Sequence, residues 1–194
     1  MKKFEQSTLE TLRTGGIGVI PTDTIYGVVG RAEIKDTVER IYTVRNRDHA
    51  KPCIVLISSY EDLEKFEVAL LPSERDFIER HALWPGMVSI IFPVPDARFG
   101  YLTRGTGSLA FRLPDVPELQ ELISHTGPLI APSANKEGHP HAQTINMAVD
   151  EFKGLVDFYV DGGEIHEEAS TVIRLAQGTC SLVRQGTVKM PSQP

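Results

Sequence analysis

The spacing of apolar positions changes repeatedly along this chain. Leu9 and Leu12 share one helical face ahead of Gly15-Gly16, which predicts a first helix over Ser7–Arg13. Ile17, Val19 and Ile20 then form a short apolar strand that stops at Pro21, a residue with no N–H for a ladder. Val28–Arg31 leads away from the intervening loop, and Ile34, Val38, Ile41 and Tyr42 recur at helical spacing, predicting a helix over Ile34–Arg45. Cys53–Ile57 (CIVLI) is a continuous apolar run, as in a strand buried on both faces. Helices follow at Tyr60–Phe66 and Pro72–Ala82, a turn at Trp84-Pro85-Gly86 and a strand at Met87–Phe92.

Pro93–Gly107 holds two prolines and three glycines with little periodicity, which marks a candidate mobile loop. Beyond it the pattern predicts a strand over Ser108–Arg112, a helix over Val116–His125, a strand over Leu129–Ala131 and a polar loop at Lys136–Gln143. A helix at Ile145–Phe152, a strand at Val156–Val160 and a hairpin of Thr171–Leu175 with Cys180–Arg184, turning at Gln177-Gly178, complete the series. Strands alternate with helices, yet hairpins intervene. The expectation is one α/β domain over residues 1–190 with a mixed sheet flanked by helices, and a frayed tail at 191–194.

Composition narrows the class. Of 194 residues 41% are apolar and 24% charged, as in a globular protein with a real core. A net charge of −6 weighs against a broad, non-specific grip on nucleic acid. Cys53 and Cys180 lie far apart and form no disulfide framework or C-x-x-C pair. Met1-Lys2-Lys3 runs into polar residues, so the expectation is a cytoplasmic protein without a signal peptide.

Familiar nucleotide and hydrolase signatures are absent. His139 and His141 straddle Pro140 without the carboxylates of a metal cage, and no metal site is expected. What remains is a set of polar residues at strand ends. Thr22, Asp23 and Thr24 follow the first strand, where α/β proteins hold ligands, although their side chains could equally close a turn. Arg45, Arg47 and Lys51 cluster after a helix, suited to phosphate oxygens or simply to the helix dipole. Arg112 ends an apolar strand and needs a carboxylate, from the protein or from a ligand. Ser133 and Asn135 follow another strand, Ser170 opens one and Arg184 closes one.

Taken in order, PTDTIYG, RNRDHAKPCIVLI, WPGMVSI, SLAFRLP, PLIAPSANKEGHP, STVI and VRQG resemble the YrdC/TsaC family of threonylcarbamoyl-AMP synthases over nearly the whole chain. The resemblance implies a twisted sheet with a concave ligand-binding face. It implies an enzyme that joins ATP, L-threonine and bicarbonate into threonylcarbamoyl-AMP, releasing pyrophosphate, with Mg²⁺ accompanying ATP. The adenylate then serves N6-threonylcarbamoylation of adenosine 37 in tRNA, through downstream transferase proteins and with direct tRNA contact left open. By the same resemblance Thr24, Arg112, Ala131 and Ser170 would hold threonine. Arg47, Lys51, Ser108, Ser133, Asn135, His141 and Arg184 would hold ATP, and Arg45, Arg47 and Lys51 would be catalytic. The chain departs from the family pattern in four places. Arg45 stands for a common lysine, Leu56 for a histidine, Glu137-Gly138 for serine-glycine and Arg174 for an aspartate. Two alternatives stay in view: an RNA-binding protein of this fold without synthase activity, and a related carbamoyl-adenylate enzyme with another acceptor.

Overall fold

The computed structural model describes residues 4–176 and 179–190. The predicted turn at 177–178 and the tail at 191–194 lie outside the described residues. In chain order the elements are α1 (Gln6–Arg13), β1 (Gly18–Ile20), β2 (Gly27–Arg31), α2 (Lys35–Arg45), β3 (Val55–Leu56), α3 (Pro72–Arg80) and β4 (Val88–Pro93). They continue with α4 (Gly100–Thr103), β5 (Ser108–Arg112), α5 (Pro117–Thr126), β6 (Leu129–Ile130), α6 (Ile145–Phe152), β7 (Phe158–Tyr159), β8 (Thr171–Ala176) and β9 (Thr179–Arg184). The strands form one sheet in the order β7-β1-β2-β6-β3-β5-β4-β8-β9. The β1–β7, β3–β5 and β4–β8 pairs are parallel and the others antiparallel, so the sheet is mixed.

Side-chain alternation sorts the sheet into two faces. Val19, Val28, Val55, Ile90, Phe111, Ile130 and Ile173 point to one face, where they pack with Ile41 of α2, Ile78 of α3 and Phe152 of α6. Their neighbours Ile20, Val29, Leu56 and Leu129 point to the other and meet Leu12 of α1 and Leu119, Leu122 and Ile123 of α5. The second face is covered only in part. Beyond α1 and α5 the sheet presents Ser108, Ala110 and Arg112 of β5, Ile91 of β4 and Val172 and Arg174 of β8 to an open cavity. That half-covered face positions the site.

Several elements differ from expectation. The CIVLI run pairs as a strand only at Val55–Leu56, because its ladder partners β5 and β6 overlap it by just two residues on each side. Tyr60–Phe66 is a 3₁₀ helix. The stretch predicted as a mobile loop, Pro93–Gly107, carries a 3₁₀ turn at Ala97–Phe99 and α4. Phe99 and Leu102 anchor it in the core, and Tyr101 donates its hydroxyl to the Ala32 carbonyl at 2.9 Å. With so few residues per turn, the segment shows no period to read. Among the described residues no helix is long and apolar enough to cross a membrane, and Cys53 and Cys180 are free thiols.

Candidate active site

The loop after β1 is built from its own side chains. The Thr22 hydroxyl accepts the amides of Thr24 and Ile25 at 3.2 Å each and donates to the Ile25 carbonyl at 2.7 Å. Thr22 therefore closes the turn, the structural role its type allows. The turn frees its neighbours to face β5. Arg112 Nη1 donates to Thr24 Oγ1 at 2.9 Å, and Arg112 Nη2 lies 3.1 Å from Asp23 Oδ1. Both side chains of that ion pair are almost wholly buried, at 5% and 4% exposure. The carboxylate Arg112 requires is thus supplied by the protein's own Asp23. Burial raises the Asp23 pKa against the pull of Arg112's charge, and burial lowers that of Arg112. Among the described residues Arg112 Nε has no partner, so the fork keeps donor capacity for a second anion.

The Arg45-Asn46-Arg47 step places two arginines on different sides. Asn46 caps α2 in the left-handed region (φ 48°), a conformation asparagine tolerates. The reversal sends Arg45 inward, 2% exposed, where its Nη2 donates to Ser133 Oγ at 3.1 Å and approaches Asn135 Oδ1 at 3.4 Å. Burial, with Arg47 as the next cause, pulls the Arg45 pKa down to about 10. Arg47 instead turns to the cavity, steadied by the carbonyls of Lys51 (3.2 Å) and Pro52 (3.0 Å).

Ser133 is held by strand-like contacts to the β2 entrance. Val28 donates to the Pro132 carbonyl at 2.9 Å and Ala134 to the Tyr26 carbonyl at 2.8 Å. On the far wall Ser170 Oγ lies 2.8 Å from Ser89 Oγ, and Arg184 Nη2 donates to the Ser170 carbonyl at 2.8 Å. This approach needs Gly186, since a Cβ there would collide with the carbonyl oxygen of Ala169. Burial and then the charge of Arg47 lower the Arg184 pKa, and Arg184 adds to the lowering at Arg112. These cations face one space.

The cavity holds about 340 Å³, within the range of small-molecule sites. Of the residues predicted for binding, Thr24, Arg47, Ser108, Arg112, Ala131, Ser133, Ser170 and Arg184 line it. Arg45, Lys51, Asn135 and His141 do not. Arg45 sits behind Ser133. Asn135 spends its amide on the carbonyls of Lys136 (2.8 Å) and His139 (2.9 Å), pinning its own loop. His141 lies on that loop, outside the cavity lining. Lys51 turns outward to Glu137, 2.5 Å from its Oε1, with Asp48 3.6 Å away. Sequence reasoning passed over Asp23 as a charge partner, Ser89 and Thr106. The lone serine in the apolar run Val88–Phe92 was the readable sign of Ser89. Among the described residues no cluster of His, Cys, Asp or Glu could hold a metal. A second depression beside Glu61, Glu64 and Glu67 has the wrong sign for a phosphate.

A family model for Sua5/YciO/YrdC, described as telomere recombination, matches residues 10–186. The chain belongs to this family. The threonylcarbamoyl-AMP synthase of Pyrococcus abyssi is 30% identical over 177 residues, covering 90% of this chain and 52% of that protein. The synthase of Bacillus subtilis is 33% identical over 181 residues, covering 91% and 51%. The crystal structure of P. abyssi Sua5 complexed with L-threonine superposes with a TM-score of 0.84 at 30% identity, over 93% of this chain and 53% of that one. The chain spans about half the length of these relatives.

Proposed function

We propose that this chain is a threonylcarbamoyl-AMP synthase, consuming ATP, L-threonine and bicarbonate and releasing pyrophosphate. One observation carries the reading: a single cavity gathers buried Arg112, beside Thr24, together with Arg47 and Arg184, and has no lining carboxylate among the described residues. A carboxylate suits the buried arginine and a phosphate chain the other two. The names of the relatives agree, and a relative's structure holds L-threonine.

In this scheme the threonine carboxylate takes the spare donors of Arg112, and Thr24 and Ser170 orient its polar groups. The threonine amine captures CO₂ from bicarbonate as a carbamate. A carbamate oxygen then attacks the α-phosphorus in line, and the bond to the pyrophosphate oxygen breaks. No covalent protein intermediate is needed. Positioning and neutralisation of charge do the work, the second through Arg47 and Arg184. Ser108 and Ser133 would orient the nucleotide, and Arg45 would act through Ser133 as a positioning residue. Mg²⁺ enters with the polyphosphate as part of the ATP substrate, the usual arrangement for this ion. The adenylate would pass to the proteins that threonylcarbamoylate tRNA.

The test is pyrophosphate release by purified protein with ATP, Mg²⁺ and bicarbonate. Release is expected only when L-threonine is added, and more slowly with L-serine, which lacks the methyl group. Release indifferent to threonine, or none from protein that binds ATP, would overturn the assignment.

A further inference from the structure

The scheme above leaves one cavity cation unused. On β8, Ile173 and Leu175 point into the core, while Val172 and Arg174 line the cavity with Ser170 just before them. Arg174 lies opposite Ile91 of β4, and Ile91 opposite Ala110 of β5, so it is the charged member of an otherwise apolar row on the cavity floor. Among the described residues its side chain has no hydrogen bond or ion pair, while its backbone stays in the β4–β8–β9 ladder. Among the described residues the side-chain hydrogen bonds of its fellows Arg47 and Arg184 go to uncharged carbonyl and hydroxyl oxygens. Of the cavity arginines, Arg112 alone has an ion pair with a carboxylate among the described residues. A polyanion lying between these cations would neutralise the charge the cavity gathers. Arg184 pairs with Val172 across β8–β9, with a register shift just beyond, and Val172 and Arg174 share the cavity side of β8. Arg174 and Arg184 thus line one cavity, where an extended ligand can span them.

We propose that Arg174 is a further polyphosphate-binding residue, forming a three-arginine clamp with Arg47 and Arg184. The ligand class is a linear phosphate chain with at least three negative charges, and Arg174 takes the end that leaves as pyrophosphate. Only the identity of that chain as the ATP tail rests on the synthase reading.

Calorimetric titration of the intact protein with inorganic pyrophosphate, AMP and L-threonine tests the clamp without turnover. Arg174→Ala is expected to weaken pyrophosphate about tenfold, the size of one charge-assisted hydrogen bond. Arg174→Glu should weaken it further and Arg174→Lys restore part, with AMP and threonine affinities within about twofold of the parent. Arg174 is exposed and its substitution opens no cavity, and circular dichroism checks that each variant is folded. Unchanged pyrophosphate affinity in both Arg174→Ala and Arg174→Glu would overturn the clamp, as would an equal loss for AMP or no pyrophosphate binding by the parent. Tight pyrophosphate binding that depends on Arg174, without threonine-dependent turnover, would keep the clamp and remove the synthase reading. The converse result would do the reverse.

Discussion

Asp23 and Arg112 show how a buried ion pair can wait for a ligand. Removing one partner of such a pair costs about 3–5 kcal/mol, because the other charge is left in a poor solvent. Asp23→Asn should therefore lower stability by that order in urea unfolding. The same variant should gain more from L-threonine in a thermal-shift assay than the parent does, since the ligand's carboxylate supplies the missing charge. A smaller shift than the parent's would mean that threonine does not reach Arg112. The sequence made Arg112 legible as an arginine closing an apolar strand, but its partners lie near Thr24, 88 positions earlier. Lys51 misled for the same reason. Its closeness to Arg47 suggested a shared ligand, yet Glu137, 86 positions later, takes its ammonium. Ion pairs distant in sequence leave no periodic trace.

At the scale of elements, the sheet's ends are fastened by side chains as much as by ladders. Asp157, just before β7, accepts the Ile17 amide at 2.8 Å and two bonds from Arg40 at 2.6 and 2.8 Å. Those bonds hold its carboxyl below the usual range, Arg40 foremost. A depressed folded-state pKa stabilises fully above the unfolded value near ~3.9 and is lost as pH falls through the folded value. Urea unfolding at pH 7 and pH 3 should show the parent losing up to about 1 kcal/mol more than Asp157→Asn across that interval, a modest figure because the pair is part-exposed. Equal losses would dismiss the link. Long amphipathic helices such as α2 were readable from their period. The short α4 was not, since Phe99 and Leu102 bury too few positions to set one.

Over the whole molecule, charge is divided unequally. The chain carries −6 overall, while the cavity gathers four arginines and no lining carboxylate among the described residues. Such an interior attracts anions through a surface that repels them. Raising ionic strength from about 0.05 M to about 0.5 M should weaken pyrophosphate markedly, because the Debye length shrinks well below the spacing of exposed charges. L-Threonine, seated on a buried arginine, should change little over the same range. A parallel fall for both ligands would place threonine in the exposed part of the cavity. Net charge alone weighed against a broad grip on nucleic acid; the alternation along β5 and β8 shows where Arg112 and Arg174 collect.

The seam at Gly186 has a consequence for folding. Arg184 reaches Ser170 only when β9 lies against β8, and β8 in turn needs β4 beside it. That guanidinium therefore joins the cavity wall when the β8–β9 pair docks, and not before. In a refolding experiment, the Arg184-dependent part of nucleotide capture would time that docking, an event that helix formation earlier in the chain leaves unseen.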